Sequence, residues 1–188
     1  MKKGIICIET ECELTIKKNR LDLNSELLMQ FLSKSCNIQY IYRRVATIEE
    51  LRYYFKQLSK KEYSDYNIIY FSFHGDTQGI SLESGKFLTL EELAAMTQGL
   101  FEGKYVHFGS CRTMLGSQVK LDDFCSSSKA KMVTGFTKSV DPVLSAIHDA
   151  ALINEILKCK HSATVIAHMS SLYDGLQQKL GFRYALKR

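Results

Sequence analysis

Five short runs of apolar, often β-branched residues set the strongest constraint on the fold of this chain. They are GIICIE (4–9), IQYIYR (38–43), NIIYFSF (67–73), KYVHFG (104–109) and AKMVTGF (130–136). The run NIIYFSF is apolar almost without alternation, which is typical of a strand covered on both faces in a parallel sheet. Because helical segments separate the runs, the order predicts an α/β fold, a three-layer sandwich with a mostly parallel central sheet flanked by helices.

Local start signals predict most of these helices. A capping box places Thr at the N-cap and Glu three residues later, and Asp before Pro is a good N-cap and first-turn pair. The chain has Thr47 with Glu50, Thr89 with Glu92, and Asp141 with Pro142. We expect the helix that begins at Pro142 to continue to residue 158, a further helix over 162–180, and a small hairpin or a pair of loops within 75–88.

The segment 24–35 predicts an amphipathic helix that begins after an Asn24 or Ser25 cap. Its expected buried face consists of Leu27, Leu28, Phe31 and Leu32. A short extended piece is expected before it, at ELTIK (13–17), and AKMVTGF is expected to be the last strand.

Composition favours a single globular domain over residues 1–188, because 45% of the residues are hydrophobic and no flexible linker interrupts the chain. The basic residues behind the net charge of +5 are scattered, which argues against a nucleic-acid partner. No apolar run approaches the roughly 18 residues that cross a bilayer, so we expect no membrane partner. The six cysteines lack CxxC spacing and follow no secretory signal, which predicts reduced thiols in the cytoplasm.

Two reactive side chains lie within two residues of the ends of two predicted strands. His74 comes after NIIYFSF, and Cys111 comes two residues after KYVHFG. One helical crossover joins these strands, and neighbouring strands lie about 4.8 Å apart, so we expect both side chains at one edge of the sheet. Because a free thiol with a pKa of about 8.5 is only slightly ionised at neutral pH, a neighbouring imidazole would activate it.

Small residues surround both side chains. Gly75 has no Cβ and therefore lets a substrate approach the backbone, and its N–H and that of Cys111 are candidates for an oxyanion hole. Gly109 and Ser110 suit a tight strand exit that exposes the sulfur. The pattern predicts a Cys/His nucleophilic site.

The blocks YFSFHGD (70–76) and VHFGSCRT (106–113) resemble the His-Gly and Ser-Cys blocks of the caspase-like cysteine peptidases (clan CD), most closely the CHAT branch. The stretch GISLESGKFLTLEELAAM between them is similar to the hairpin and helix of that branch. The strand, loop and helix over 130–157 resemble those that come after the nucleophile in this family. The similarity spans roughly residues 65 to 158.

The resemblance implies a caspase-like fold and a cysteine endopeptidase that uses a Cys/His dyad, without a required third member and without a cofactor. Cys111 would be the nucleophile, His74 the general base and acid, and the Gly75 N–H part of the oxyanion hole. It further implies a protein or peptide substrate and regulated proteolysis in a bacterial cytoplasm. Since we recognise no fused sensor domain in the sequence, a separate activator or regulatory protein is expected.

Substrate preference stays open between two predictions. Asp76 and Asp141 would favour a basic residue at the cleaved position, whereas Arg112 would favour an acidic one. Asp141 before Pro142 is better explained as only a helix cap.

Other functions fit the residues less well. A cysteine phosphatase needs an arginine six positions after the nucleophile, where this chain has Ser117, and no downstream histidine has the glutamate spacing of a glutamine amidotransferase. No metal is expected, because four possible ligands lack paired spacing: His74, His107, Cys111 and Cys125. We expect His107 to pack under a helix instead. The remaining alternative is a non-catalytic caspase-like binding or scaffolding module.

Overall fold

The computed structural model describes residues 4–11 and 25–187. Its elements follow in the order β1 (Gly4–Glu9), α1 (Ser25–Cys36), β2 (Gln39–Arg44), α2 (Ile48–Leu58), a 3₁₀ turn (Lys61–Tyr63), β3 (Tyr66–Ser72), β4 (His74–Asp76), β5 (Gly79–Ser81), β6 (Phe87–Thr89), α3 (Leu90–Met96), β7 (Tyr105–Phe108), α4 (Gln118–Ser127), β8 (Met132–Phe136), α5 (Pro142–Lys158), α6 (Ser162–Leu180) and β9 (Phe182–Leu186). The predicted ELTIK strand, Asn24 and Cys12 lie outside the described residues.

The central sheet has six strands in the order β2-β1-β3-β7-β8-β9. The first five are mutually parallel and β9 runs antiparallel to β8. A second sheet of three short antiparallel strands, β4-β5-β6, contains the predicted hairpin. The α/β class with a mostly parallel sheet is confirmed. The expectation that AKMVTGF ends the sheet was wrong, because FRYAL (182–186) adds an edge strand.

Two apolar cores lie on opposite faces of the sheet. One contains side chains of α2, α3 and α4, and the other contains side chains of α1, α5 and α6. Successive strand residues alternate between them: Ile69 and Phe71 point into the first core, while Ile68 and Tyr70 point into the second. Burial on both faces explains why β3 is apolar without alternation.

The local helix signals are confirmed. Both capping boxes form, with the hydroxyls of Thr47 and Thr89 accepting hydrogen bonds from the backbone N–H of the glutamate three residues later. Asp141 caps α5 and Pro142 is its first residue. No helix in the described ranges combines the length and apolarity that a bilayer crossing requires.

The predicted buried face of α1 was partly wrong. Leu27 and Phe31 are 65% and 57% exposed, whereas Met29 and Leu32 are buried. The reason lies at the start of the helix, where the backbone N–H and the hydroxyl of Ser25 both donate to Glu9 Oε1 at the end of β1. That anchor turns positions four and seven residues after Ser25 towards the sheet.

Candidate active site

The two chain segments of the candidate site leave the same edge of the sheet. β3 and β7 are adjacent and parallel, with Ile68 opposite Tyr105 and Phe71 opposite Phe108. His74 opens β4 after one intervening residue, and Cys111 lies in the turn after β7. The sequence prediction that the two strands are neighbours is therefore confirmed.

Contacts between residues 73–76 and 110–113 hold the segments side by side. The Phe73 N–H donates to Ser110 Oγ over 2.9 Å, and Arg112 Nη2 lies 3.3 Å from Asp76 Oδ1. One contact precedes the two candidate catalytic residues and the other follows them. The backbone that carries His74 thus passes beside the backbone that carries Cys111.

Gly75 packs directly against the turn that carries Cys111. A Cβ on this residue would overlap the Cys111 carbonyl oxygen and Oγ1 of the buried Thr113. Both obstacles belong to the turn that holds the candidate nucleophile, so any larger residue must push the hairpin away from it. Close packing against this turn therefore requires glycine here, in addition to the substrate approach predicted from the sequence.

Cys111 is half-buried and its sulfur is oriented by the backbone. The N–H of Val140, two residues before α5, points to Sγ over 3.4 Å. Arg112 follows with a φ of +55°, a left-handed conformation that costs free energy for a residue with a Cβ. Its N–H donates to the Lys138 carbonyl, within the turn that follows β7.

The small residues before Cys111 have specific partners. Ser110 is 2% exposed, and its hydroxyl is the acceptor for Phe73 described above. A Cβ on Gly109 would overlap the phenol ring of Tyr70. The tight turn predicted after β7 therefore depends on the buried hydrogen bond of Ser110 and on the absence of a side chain at Gly109, which leaves room for the Tyr70 ring.

The predicted substrate contacts differ in what they already bind. Asp76 pairs with Arg112 and also accepts hydrogen bonds from the N–H and hydroxyl of Thr77. The Thr77 N–H first, and then Arg112, lower the pKa of Asp76 below its ordinary value. Asp141 Oδ1 accepts from the N–H groups of Val143 and Leu144, so its role as a helix cap is confirmed. A substrate role for Asp76, Arg112 and Asp141 stays a prediction.

A buried polar network lies beneath the strand end that leads to Cys111. Asp149, in α5, accepts a hydrogen bond from the Tyr70 hydroxyl over 2.7 Å and pairs with His107 Nε2 over 2.8 Å. The other ring nitrogen of His107 contacts Thr134 Oγ1 over 2.8 Å. His107 is thus buried under a helix, as predicted. No spacing in the sequence indicates Asp149 or Tyr70 as members of this network, because they are 79 residues apart.

The network determines the charge of its members. Burial alone would raise the pKa of Asp149, but the neighbouring His107, and then His148, hold it below its ordinary value. Burial, followed by the charge of Asp149, raises the pKa of Tyr70 well above its ordinary value. The carboxylate is therefore ionised and the phenol neutral across the physiological range. The arrangement orients side chains below the site and has no access to a substrate.

Comparison with known proteins identifies the family without assigning a reaction. A search of curated proteins finds no match to this chain. A family profile described as a family of unknown function (DUF6642) matches residues 2–185. The chain therefore belongs to the DUF6642 family.

Proposed function

We propose that this protein is a cysteine endopeptidase of caspase-like architecture that hydrolyses peptide bonds through a Cys111/His74 dyad. The proposal rests on two contacts that hold the segments together: Phe73 with Ser110, just before the two residues, and Asp76 with Arg112, just after them. The sheet order, with the histidine after β3 and the cysteine after its neighbour β7, supports the same architecture. Cleavage of a peptide bond by covalent catalysis needs a nucleophile and a base at one position.

The proposed reaction follows from these groups. His74 takes the proton of the Cys111 thiol, and the thiolate attacks the carbonyl carbon of the scissile bond. Backbone N–H groups of Gly75 and Cys111 stabilise the negative oxygen that forms. His74 then gives its proton to the leaving amine, which releases the first product and leaves a thioester. A water molecule, deprotonated by His74, hydrolyses the thioester and restores the thiol.

The exposed rim of the site favours an extended protein or peptide substrate. His74, Asp76 and Arg112 are all exposed at the sheet edge, so a peptide can approach them from solvent. Because Asp76 and Arg112 pair with each other, a charged substrate residue would replace one of them as the partner of the other. An acidic side chain would pair with Arg112 and a basic one with Asp76.

Thiol reactivity tests the dyad directly. We expect a peptidyl electrophile or iodoacetamide to label Cys111 faster than the other five cysteines, and Cys111→Ser to abolish this fast phase. His74→Ala should slow it, and should lower peptide hydrolysis at least about 100-fold, the usual minimum for loss of a general base. Cys36→Ala, at a half-buried thiol in α1, is the matched control and should leave the fast phase unchanged.

Equal and slow labelling of all six cysteines would contradict the proposal. It would favour the alternative, a binding or scaffolding module with this architecture and no hydrolysis. A positional-scanning peptide library then distinguishes a preference for acidic residues from one for basic residues at the cleaved position. Arg112→Gln should weaken cleavage after acidic residues, whereas Asp76→Asn should weaken cleavage after basic residues. Control by a separate activating protein, in a cytoplasmic setting, stays a prediction of the family resemblance.

A further inference from the structure

Three side chains of different chemistry meet where α5 ends and α6 begins. Glu155 and Cys159 are four residues apart at the end of α5, and His168 faces them from α6. His168 Nδ1 lies 2.8 Å from Glu155 Oε2, and the Cys159 sulfur lies 3.6 Å from the same nitrogen and 3.9 Å from the same oxygen. The three atoms therefore form a small triangle, all within 4.8 Å of one another.

The dimensions of this triangle suit a tetrahedral metal ion. Zinc binds sulfur at about 2.3 Å and nitrogen or oxygen at about 2.0–2.1 Å. In a tetrahedral site, a sulfur ligand therefore lies about 3.5 Å from a nitrogen or oxygen ligand, and a nitrogen ligand lies about 3.3 Å from an oxygen ligand. The observed sulfur separations, 3.6 and 3.9 Å, are close to the first value. The shorter His168–Glu155 distance is a hydrogen bond whose proton the ion would replace. Only small side-chain movements are required.

The same geometry argues against a second catalytic dyad. In a Cys-His-acid relay, the imidazole uses one ring nitrogen for the thiol and the other for the carboxylate. Here His168 presents Nδ1 to both Cys159 and Glu155. Donor atoms that converge on one point suit a shared cation rather than proton transfer along a chain.

Neighbouring residues hold the Glu155 carboxylate in place, and solvent can reach the open side of the triangle. Glu155 Oε1, the oxygen turned away from the triangle, lies 3.7 Å from Lys158 Nζ and 3.5 Å from Asn154 Nδ2, contacts that hold the carboxylate in place. Cys159 and Glu155 are buried, whereas the His168 side chain is half-exposed. A fourth ligand can therefore come from solvent. We propose that Glu155, Cys159 and His168 bind one Zn²⁺ ion, with a water molecule in the fourth position.

This site is remote from the candidate active site. α5 begins two residues after Val140, whose N–H contacts the Cys111 sulfur, and Glu155 and Cys159 lie at its other end. A helix of 17 residues is about 25 Å long. The zinc site would join α5 to α6 on the opposite side of the molecule, and it does not depend on the proposed hydrolysis.

Metal titration of the full chain tests the assignment. The Cys111→Ser protein is used throughout, because the thiol at the candidate active site can itself bind zinc. We expect one Co²⁺ ion per chain with thiolate-to-cobalt charge-transfer absorption, displacement of Co²⁺ by one equivalent of Zn²⁺, and no competition from excess Mg²⁺. Cys159→Ala should abolish the charge-transfer absorption.

His168→Ala provides a test that does not depend on a buried position, because its side chain is half-exposed. Loss of this ligand should weaken Zn²⁺ binding at least about tenfold, as loss of even outer-shell partners commonly does. Cys36→Ala in the same protein is the matched control and should bind Zn²⁺ unchanged. The assignment is overturned if no charge-transfer absorption develops, if it persists in Cys159→Ala, or if His168→Ala binds Zn²⁺ as tightly as the control.

Discussion

The hydrogen bond from the Phe73 N–H to Ser110 Oγ is the buried link between the two segments of the candidate site. Both residues are at most 5% exposed, so water cannot replace the hydroxyl when it is removed. Ser110→Ala leaves the N–H in place without its acceptor. The loss of one partner of a buried hydrogen bond costs about 1–3 kcal/mol, and we expect the free energy of unfolding to fall by that amount.

The same substitution should reduce the reactivity of Cys111. His74 follows Phe73 directly, so loss of the link lets the imidazole drift relative to the sulfur. A displacement of about 1 Å between reacting groups can cost about 100-fold in rate. We expect the rate of iodoacetamide labelling at Cys111 to fall by about 10- to 100-fold, measured on the folded protein by mass spectrometry of the labelled peptide.

Ser128→Ala is the matched control, because Ser128 is also a buried serine. Its hydroxyl donates to the Phe124 carbonyl, which keeps the Ser128 N–H as a second donor when the hydroxyl is removed. Equilibrium unfolding in urea, followed by circular dichroism, should show a clearly smaller effect for this variant and no change in Cys111 labelling. Equal losses of stability in the two variants, or normal labelling in Ser110→Ala, would refute the reasoning.

Three further predictions concern the supports of the site. Gly75→Ala should destabilise the protein by about 1–3 kcal/mol and slow Cys111 labelling, since its Cβ overlaps the turn at residues 111–113; unchanged urea unfolding and labelling would contradict this. Asp149→Asn should lower stability at neutral pH by about 3–5 kcal/mol, because it breaks a buried pair. Since the folded pKa of Asp149 is depressed, its ionised form contributes to the free energy of unfolding above the unfolded pKa of about 3.9, and this contribution is lost as the pH falls from there towards the folded pKa. The loss of stability between pH 5 and pH 3 should therefore be shallower in the variant. An unchanged profile would count against an ionised Asp149. Asp141→Asn should keep the helix cap and hence the melting temperature, whereas Asp141→Ala should cost about 1 kcal/mol; a changed preference for basic substrates in Asp141→Asn would instead support a substrate contact.

The elements that the sequence determined depend on interactions between near neighbours in the chain. The caps at Thr47, Thr89 and Asp141 join residues two or three positions apart, so their residue types suffice to identify them. The apolar runs likewise identify the parallel strands, and the run in β3 lacks alternation because its middle residues are buried on both faces. Adjacency of the strands that lead to His74 and Cys111 followed from one crossover between them.

Packing between elements decided which face of α1 is buried and that β9 joins the sheet, neither of which the local sequence patterns determine. α1 carries more apolar residues than one face can bury, and the contact between Ser25 and Glu9 selects which of them face the sheet. The edge strand β9 is short and half-exposed, so its residues resemble a surface segment until pairing with β8 supplies its hydrogen bonds.

The polar clusters could not be predicted from spacing. Tyr70 and Asp149 are 79 residues apart, and Cys159 and His168 lie on opposite sides of the turn between α5 and α6. The sequence by itself therefore determined the parallel strands, the starts of α2, α3 and α5, and the adjacency of the strands that lead to His74 and Cys111. Only the tertiary structure decided which buried polar groups meet, because that depends on how α5 packs on the sheet and on α6 rather than on any pattern within one segment.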